Sequence, residues 1–329
     1  MQWTELISRG RMHLGGLCRG GSGMEPLVSG IRDVESRFDC DSLDDFVVTV
    51  DRDGGPDLLG TAPQWQGVSY KPRVVVDLSL DPFSEAYARQ QIDLYKEISG
   101  RELDQSVNEN TPFDLDHNIA SASPYGVRDP TRLALHYARL SKLVRLAAPP
   151  VEARVLDMGS GWGLSSELFA MLGCRVTAID INESFVRLTN ERNKRFKFDL
   201  EAFQGSFDDV ALSGEFDLIV FYECLHHAVR PWDVIARLAR RLAPNGAIGF
   251  AGEPINELWW PHWGMRLDPL SVYCIRKFGW FESGWSQSFI SEVMRRGGLD
   301  VRVAADADPV IGPVLVASRK ATAPPERDS

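Results

Sequence analysis

Between Val155 and Gly163 the chain reads Val-Leu-Asp-Met-Gly-Ser-Gly-Trp-Gly, and a helical pattern begins at Leu164. An apolar run that ends in an acid, turns on glycines and enters a helix reads as a strand–turn–helix unit. Glycine lets the backbone turn tightly and approach a ligand closely. The first N–H groups of the helix that follows have no partners of their own. The run therefore predicts a ligand site beyond the carboxyl end of a strand. The rest of the chain agrees with such an architecture. Arg175–Ile179, Leu200–Gln204, Phe216–Tyr222 and Ala247–Ala251 read as strands. Helical patterns start near Glu183 and run over Pro231–Leu242 and Phe289–Arg296. Alternation of this kind predicts an α/β fold, mostly parallel, with helices on both faces. Val301–Ala304 and Val314–Ser318 follow each other without a helix, so they are expected to pair antiparallel at one edge.

Upstream of this unit, two helices are legible. One covers Pro130–Leu146 with Asp129 as its N-cap. The other covers Pro82–Ser99, between Asp81 as cap and Gly100 as stop. Residues 101–128 are polar and rich in Asn, Asp and Pro, hence a loop. Phe46–Val50 and Val74–Leu78 look extended, but residues 25–80 suggest no fold. The domain reading is a flexible tail over 1–24, an acidic arm with a helical lid over 25–128, the α/β unit over 129–320, and a disordered tail over 321–329.

Charge separates these parts. The 329 residues carry a net charge of −10. Residues 25–120 hold twenty acidic and eight basic side chains, a net of −12, and residues 1–24 are +2. A chain with that balance has no basic surface to displace counterions from a polyanion, so no nucleic-acid partner is expected. The five cysteines include no Cys-x-x-Cys pair, which argues against a disulfide framework and for a reducing, cytoplasmic setting. No apolar run approaches the length of a membrane span.

The ligand can be narrowed from spacing. Asp180 lies 21 positions after Gly159, past the second strand, where a carboxylate accepts hydrogen bonds from ribose hydroxyls. A dinucleotide fingerprint needs Gly-x-Gly-x-x-Gly, and here Gly163 comes one place early. Asp157 is also an acid where a diphosphate would gain nothing from negative charge. Over residues 129–320 the sequence resembles the class I S-adenosylmethionine-dependent methyltransferases, on Asp157-Met158-Gly159-Ser160-Gly161-Trp162-Gly163, Asp180, Gln204–Asp208 and the turn Leu242-Ala243-Pro244-Asn245-Gly246. The resemblance implies a Rossmann-like, doubly wound, seven-stranded sheet and S-adenosyl-L-methionine as cofactor. It implies that Asp157, Gly159, Ser160, Gly161 and Gly163 form the loop at the methionine part. Asp180 would hold the ribose, and Ile181, Ser206, Phe207 and Asp208 would surround the adenine, with Tyr222 nearby. Ser206 stands where the family usually has an acid, so Asp208 is the alternative contact.

Chemistry belongs at the end of the fourth strand, Tyr222-Glu223-Cys224-Leu225-His226-His227. Methyl transfer to a hydroxyl needs alignment, exclusion of water and a base. Two readings stay open. A histidine caps the strand end, or His227, His226 and Glu223 take part in catalysis with His227 favoured as base. Glu223-x-x-His226-His227 is similar to the Glu-x-x-Glu-His segment of ubiquinone-biosynthesis O-methyltransferases, which implies a divalent metal. His226 replaces the second acid, and no metal ligand is assigned.

An aromatic insertion over 254–285 holds five of the nine tryptophans. It reads either as a satellite core or as part of an acceptor pocket, with Trp259, Trp263, Arg266 and, from the polar loop, Tyr125 as substrate-binding candidates. Glu253, which precedes it, is a further candidate base. The expected function is methyl transfer to a small-molecule acceptor, a saccharide or lipid-linked saccharide hydroxyl being the favoured class. The competing classes are a non-catalytic cofactor-fold partner subunit and an NAD-dependent oxidoreductase. The sequence leaves the oligomeric state open.

Overall fold

Neighbouring residues of the strand that leads into the glycine turn are buried in different cores. Val155 packs with Ala178, Leu218 and Val220, whereas Leu156 belongs with Ile179, Ile219 and Ile248. Successive side chains of a strand point to opposite faces, so both faces of this sheet are covered. The computed structural model describes residues 36–38, 42–56, 59, 65, 67–110, 112–125, 129–209, 211–255, 260–304 and 311–319. The expected tails at 1–24 and 321–329, and Trp259, lie outside the described residues. Among the described residues no helix is long and apolar enough to cross a membrane.

In chain order the elements are β1 (Ser36–Phe38), α1 (Leu43–Arg52), β2 (Ser69–Tyr70), α2 (Glu85–Ser99), α3 (Gln105–Asn108), α4 (Leu115–Ala120) and α5 (Pro130–Ala147). Next come β3 (Arg154–Met158), α6 (Leu164–Met171), β4 (Arg175–Asp180), α7 (Glu183–Phe196), β5 (Leu200–Gln204) and β6 (Phe216–Tyr222). A short 3-10 turn over Leu225–His227 leads to α8 (Pro231–Ala239) and β7 (Leu242–Ala251). The insertion contributes β8 (Trp263–Met265), α9 (Pro269–Phe278) and β9 (Ser283–Trp285). The chain then forms α10 (Gln287–Arg296), β10 (Leu299–Ala304) and β11 (Val314–Arg319). The seven-stranded sheet runs β10-β11-β7-β6-β3-β4-β5. Its pairs from β7 to β5 are parallel. β11 pairs antiparallel with both β10 and β7. The strand order reverses between β3 and β6, the place where open α/β sheets bind ligands.

The arm and the insertion make one body on the face that holds Leu156. α9 packs on α1 and α2. Tyr87 Oη donates to the carbonyl of Trp263 at 2.7 Å and Tyr95 Oη to that of Gly279 at 2.6 Å. Arg276 pairs with Asp44 and Lys277 with Asp51. The arm's acidity is thus partly neutralised by bases of the insertion, though exposed pairs like these contribute little stability.

Several expectations change. Phe46–Val50 is helical, part of α1, because Leu43, Phe46 and Val50 are spaced to bury one helical face against the insertion. Its β-branched residues favoured a strand locally, and tertiary packing overrides that preference. Val74–Leu78 is not a strand either. The N–H groups of Arg73 and Val74 go to the Glu97 carboxylate and that of Asp77 to Gln90, which strap the segment onto α2. α2 begins at Glu85, capped by Ser84 rather than Asp81. The polar loop contains α3 and α4, capped by Asp104 and Asp114. The turn at Pro244 lies inside β7 instead of before it.

Candidate active site

A cavity opens at the carboxyl ends of β3, β4 and β6. Its floor is the glycine turn. Gly159 has φ +62°, and a Cβ there would come within 2.9 Å of Cys224 Cβ, so any other residue would both strain the backbone and collide. Gly161, at φ +49°, would meet nothing within 4 Å, because it faces the open space. Asp180 ends β4 and closes this wall. Its Oδ2 accepts from Gly161 N at 2.7 Å and its Oδ1 from Asn182 N at 2.8 Å. Burial pushes the Asp180 carboxyl up to about 6. Ile181, Ser206, Phe207 and Asp208 form the side wall, and Tyr222 and Tyr125 another. Tyr222 Oη bonds His136 Nδ1 at 2.6 Å, and Tyr125 stacks on the same imidazole with ring centroids 5.0 Å apart.

Two residues of the expected cofactor set stand behind the wall. Asp157 is fully buried and accepts from the hydroxyls of Ser165 and Ser166 in the first turn of α6. Burial raises its carboxyl to about 6. Gly163 starts α6, where a Cβ would lie 2.7 Å from Thr189 Oγ1, so the position is fixed by packing. The other nine expected cofactor residues line the cavity.

The opposite end is built by four separated segments. Glu223 has φ +54° and lines the cavity, with Arg139 Nη1 donating to its Oε1 at 2.6 Å. His226 does not line the cavity. Its Nδ1 lies 2.9 Å from Glu253 Oε2, and Glu253 also accepts from the N–H groups of Cys224, Leu225 and His226. Burial raises the Glu253 pKa, but His226 and these N–H groups overcome it and hold the carboxylate below its ordinary value. Glu253 therefore staples the 3-10 turn and is no base for an acceptor. His227 does face the cavity. Its Nδ1 is 3.3 Å from Glu109 Oε2. Burial would lower its pKa, but Glu109, Glu282 and Glu253 raise it to about 9. An imidazole protonated at neutral pH has no lone pair with which to act as base. Gln105 Nε2 donates to the His227 carbonyl at 2.6 Å and Ser283 Oγ to that of His226 at 2.6 Å, so arm and insertion clamp the turn from both sides.

The substrate candidates of the insertion are placed elsewhere. Trp263 is fully buried, tilted against Tyr87 and Trp232. Arg266 is buried and pairs with Asp268 at 3.0 Å and Glu282 at 3.6 Å. Neither lines the cavity, because the rings of the insertion fill a core shared with the arm. Nor does α2 cover it; Gln105, Glu109 and Tyr125 from the following segment do. Sequence reasoning missed Glu109 and Glu282, and among the rings of the insertion it singled out Trp259 and Trp263 rather than Trp280. Trp280 carried a signal as one of the five tryptophans of the insertion, and Glu282 could have been found as a lone acid among Trp280, Phe281 and Trp285.

Residues 156–250 match a family described as "Methyltransferase domain". This segment is a class I S-adenosylmethionine-dependent methyltransferase domain. The chain is similar to the "Ubiquinone biosynthesis O-methyltransferase" of Xanthomonas axonopodis pv. citri (strain 306), 32% identical over 139 residues, 41% of this chain and 58% of that protein. The protein of the same description from Xanthomonas oryzae pv. oryzae (strain PXO99A) is 35% identical over 127 residues, 38% of this chain and 50% of that protein. The chain thus spans only about half the length of the curated relatives it matches. Among solved structures, magnesium protoporphyrin IX methyltransferase from Synechocystis PCC 6803 with bound cofactor is 16% identical, with a TM-score of 0.47 over 66% of this chain and 98% of that one. S-adenosylmethionine is the cofactor that the resemblance of the sequence implies. The cavity fits it on its own terms. Gly161 leaves open space at the floor, and the buried Ser160 hydroxyl beside it has no hydrogen-bond partner among the described residues.

Proposed function

We propose that this chain transfers a methyl group from S-adenosylmethionine to a hydroxyl of a small-molecule acceptor. The supporting observation is that one cavity carries the glycine turn and Asp180 on one side and the Glu109–His227–Glu282 cluster on the other. Asp180 would accept from the ribose hydroxyls, Gly159, Ser160 and Gly161 would bear the methionine part, and Ile181, Ser206, Phe207 and Asp208 would enclose the adenine. When bound, the cofactor supplies the activated methyl group and a neutral thioether leaving group. The chain aligns the acceptor and excludes water, and the walls given by Tyr125, Trp280 and Tyr222 suit both tasks. The hydroxyl proton passes to the carboxylate of Glu109, a residue of the cavity wall. His227, protonated, stays a positioning group.

An oxygen acceptor is favoured by the relatives described as O-methyltransferases. The saccharide acceptor rested on the rings of the insertion, of which Trp263 and Trp285 are core residues and Trp280 lines the cavity. The test is incubation of the full chain with labelled-methyl cofactor and a panel of phenols, alcohols and saccharides, read by mass spectrometry. A methyl-shifted hydroxyl product is expected. Cofactor binding with transfer only to nitrogen, protein or nucleic acid would overturn the reading.

A further inference from the structure

Acids face into the cavity and bases stand behind its wall. Five acidic residues line it, Glu109, Asp180, Asp208, Glu223 and Glu282. Among the described residues its lining includes no lysine or arginine, and His227 is its one histidine. The acids divide by end. Asp180 and Asp208 belong to the cofactor end, and Glu109 is matched by the protonated His227. Glu223 and Glu282 remain at the acceptor end. Arg139 Nη1 donates to Glu223 Oε1 at 2.6 Å, and Arg266 Nη1 lies 3.6 Å from Glu282 Oε2. Both arginines are 2% exposed and neither lines the cavity.

These ion pairs leave the carboxylates able to bind a ligand. An ionised carboxylate offers about four lone-pair sites, more than one arginine contact uses. At Glu282 the arginine is an ionic partner beyond hydrogen-bond distance. Neither side-chain oxygen of Glu282 accepts a hydrogen bond among the described residues, although the residue is 1% exposed. Such a carboxylate favours a ligand that brings N–H donors. Tyr125, Tyr222 and Trp280 line the same cavity. Carboxylates beside aromatic rings are the surroundings that hold an organic ammonium, through charge-assisted hydrogen bonds and the negative ring faces. An anionic ligand would meet the carboxylates first and the arginines only through them.

We propose that the acceptor is a hydroxyl compound that carries a protonated amine, held by Glu282 and Glu223, and that carboxylated and phosphorylated acceptors are rejected. This acceptor class rests on the methyl-transfer reading and narrows it. The cofactor does not explain the two acids. Its amino and carboxylate groups cancel in charge and belong at the glycine turn. The charge of its sulfonium is lost in the transfer, so carboxylates directed at it would stabilise the ground state more than the transition state. An ammonium on the acceptor keeps its charge throughout, and its contact with Glu282 is not given up as the methyl group moves. The hydroxyl and the amine have separate partners, Glu109 from the arm and Glu282 from the insertion.

The test uses the full chain, labelled-methyl S-adenosylmethionine and a small-molecule cell extract. Ion exchange at neutral pH first separates the extract into cationic, neutral and anionic fractions, and mass spectrometry reads the label in each. Labelled product is expected in the cationic fraction, at least about tenfold above either of the others. Label chiefly in the neutral or anionic fraction, or spread evenly, would overturn the amine and leave methyl transfer standing. No label in any fraction would overturn the methyl-transfer reading and the amine with it. Glu282→Gln keeps the size of the side chain and removes its charge. It should raise KM for the labelled acceptor at least about tenfold while kcat changes less than about threefold, as for a contact made equally before and in the transition state. S-adenosylhomocysteine affinity of the same samples shows that the variant is folded. An unchanged KM in the folded variant would remove Glu282 from the amine. If Glu282→Gln does not fold, the wild-type fractions decide alone.

Discussion

The two ends of the cavity are built in opposite ways. The cofactor end comes from short contiguous runs, Gly159–Gly161, Asp180–Ile181 and Ser206–Asp208, each at the end of a parallel strand. The acceptor end draws on Glu109, His227 and Glu282, which are far apart in the chain and meet only because the arm and the insertion fold together over the sheet. The first end is positioned by a register that neighbouring strands fix, as in the pairing of Asp157 with Ala178 and Val220. The second depends on the shared core of α1, α2 and α9. The comparison teaches that the ends should fail separately. Damage to the arm or the insertion should spare cofactor binding, and damage to the glycine turn should spare the arm.

The largest expected effect belongs to the acceptor end. Glu109→Gln keeps the size of the side chain and removes the proton acceptor, so the transfer rate should fall by about 10²–10⁴. Steady-state transfer of labelled methyl measures this, and an unchanged rate would remove Glu109 from the chemistry. Trp263→Ala tests whether the insertion is core. Loss of a fully buried tryptophan should destabilise the fold by about 3–5 kcal/mol in urea unfolding. A loss below about 0.5 kcal/mol would put the ring at the surface and reopen its role as a substrate contact.

Asp157 gives a pH test of the cofactor end. Its folded pKa of about 6 lies above the ordinary 3.8 of an aspartate. Ionisation therefore disfavours the folded state. The stabilisation from the protonated form is complete below pH 3.8 and is lost as pH rises through about 6. Between those limits the wild type should lose up to about 3 kcal/mol relative to Asp157→Asn, measured by urea unfolding without cofactor. A difference that grows in the other direction would mean that the hydroxyls of Ser165 and Ser166 outweigh burial. The smallest effect is at Asp180. Asp180→Ala should weaken S-adenosylhomocysteine binding by about 1–3 kcal/mol in calorimetry. Unchanged affinity would show that the ribose lies elsewhere.

The same contrast explains what could be read in advance. Strands β3, β4, β6 and β7 and the glycine turn were visible because buried parallel strands write their burial as apolar runs, and because only glycine fits at φ +62° beside Cys224. The antiparallel edge pair followed from two strands with no helix between them. α1 was hidden because Val47, Val48 and Val50 favour a strand locally, while its helical face is buried only once α9 is in place. Glu109 was hidden in a polar loop whose acids all look alike in sequence. The rings of the insertion were visible as rings, but composition does not say whether a tryptophan faces a cavity or, like Trp263, a tyrosine of another segment.

The claim that the two ends are separable is tested most directly by the affinity of the full chain for S-adenosylhomocysteine, wild type beside Glu109→Gln. The account predicts that both bind and that their affinities agree within about twofold, as expected for sites without a shared hydrogen-bond partner. No binding by the wild type, or affinity lost along with Glu109, would contradict it.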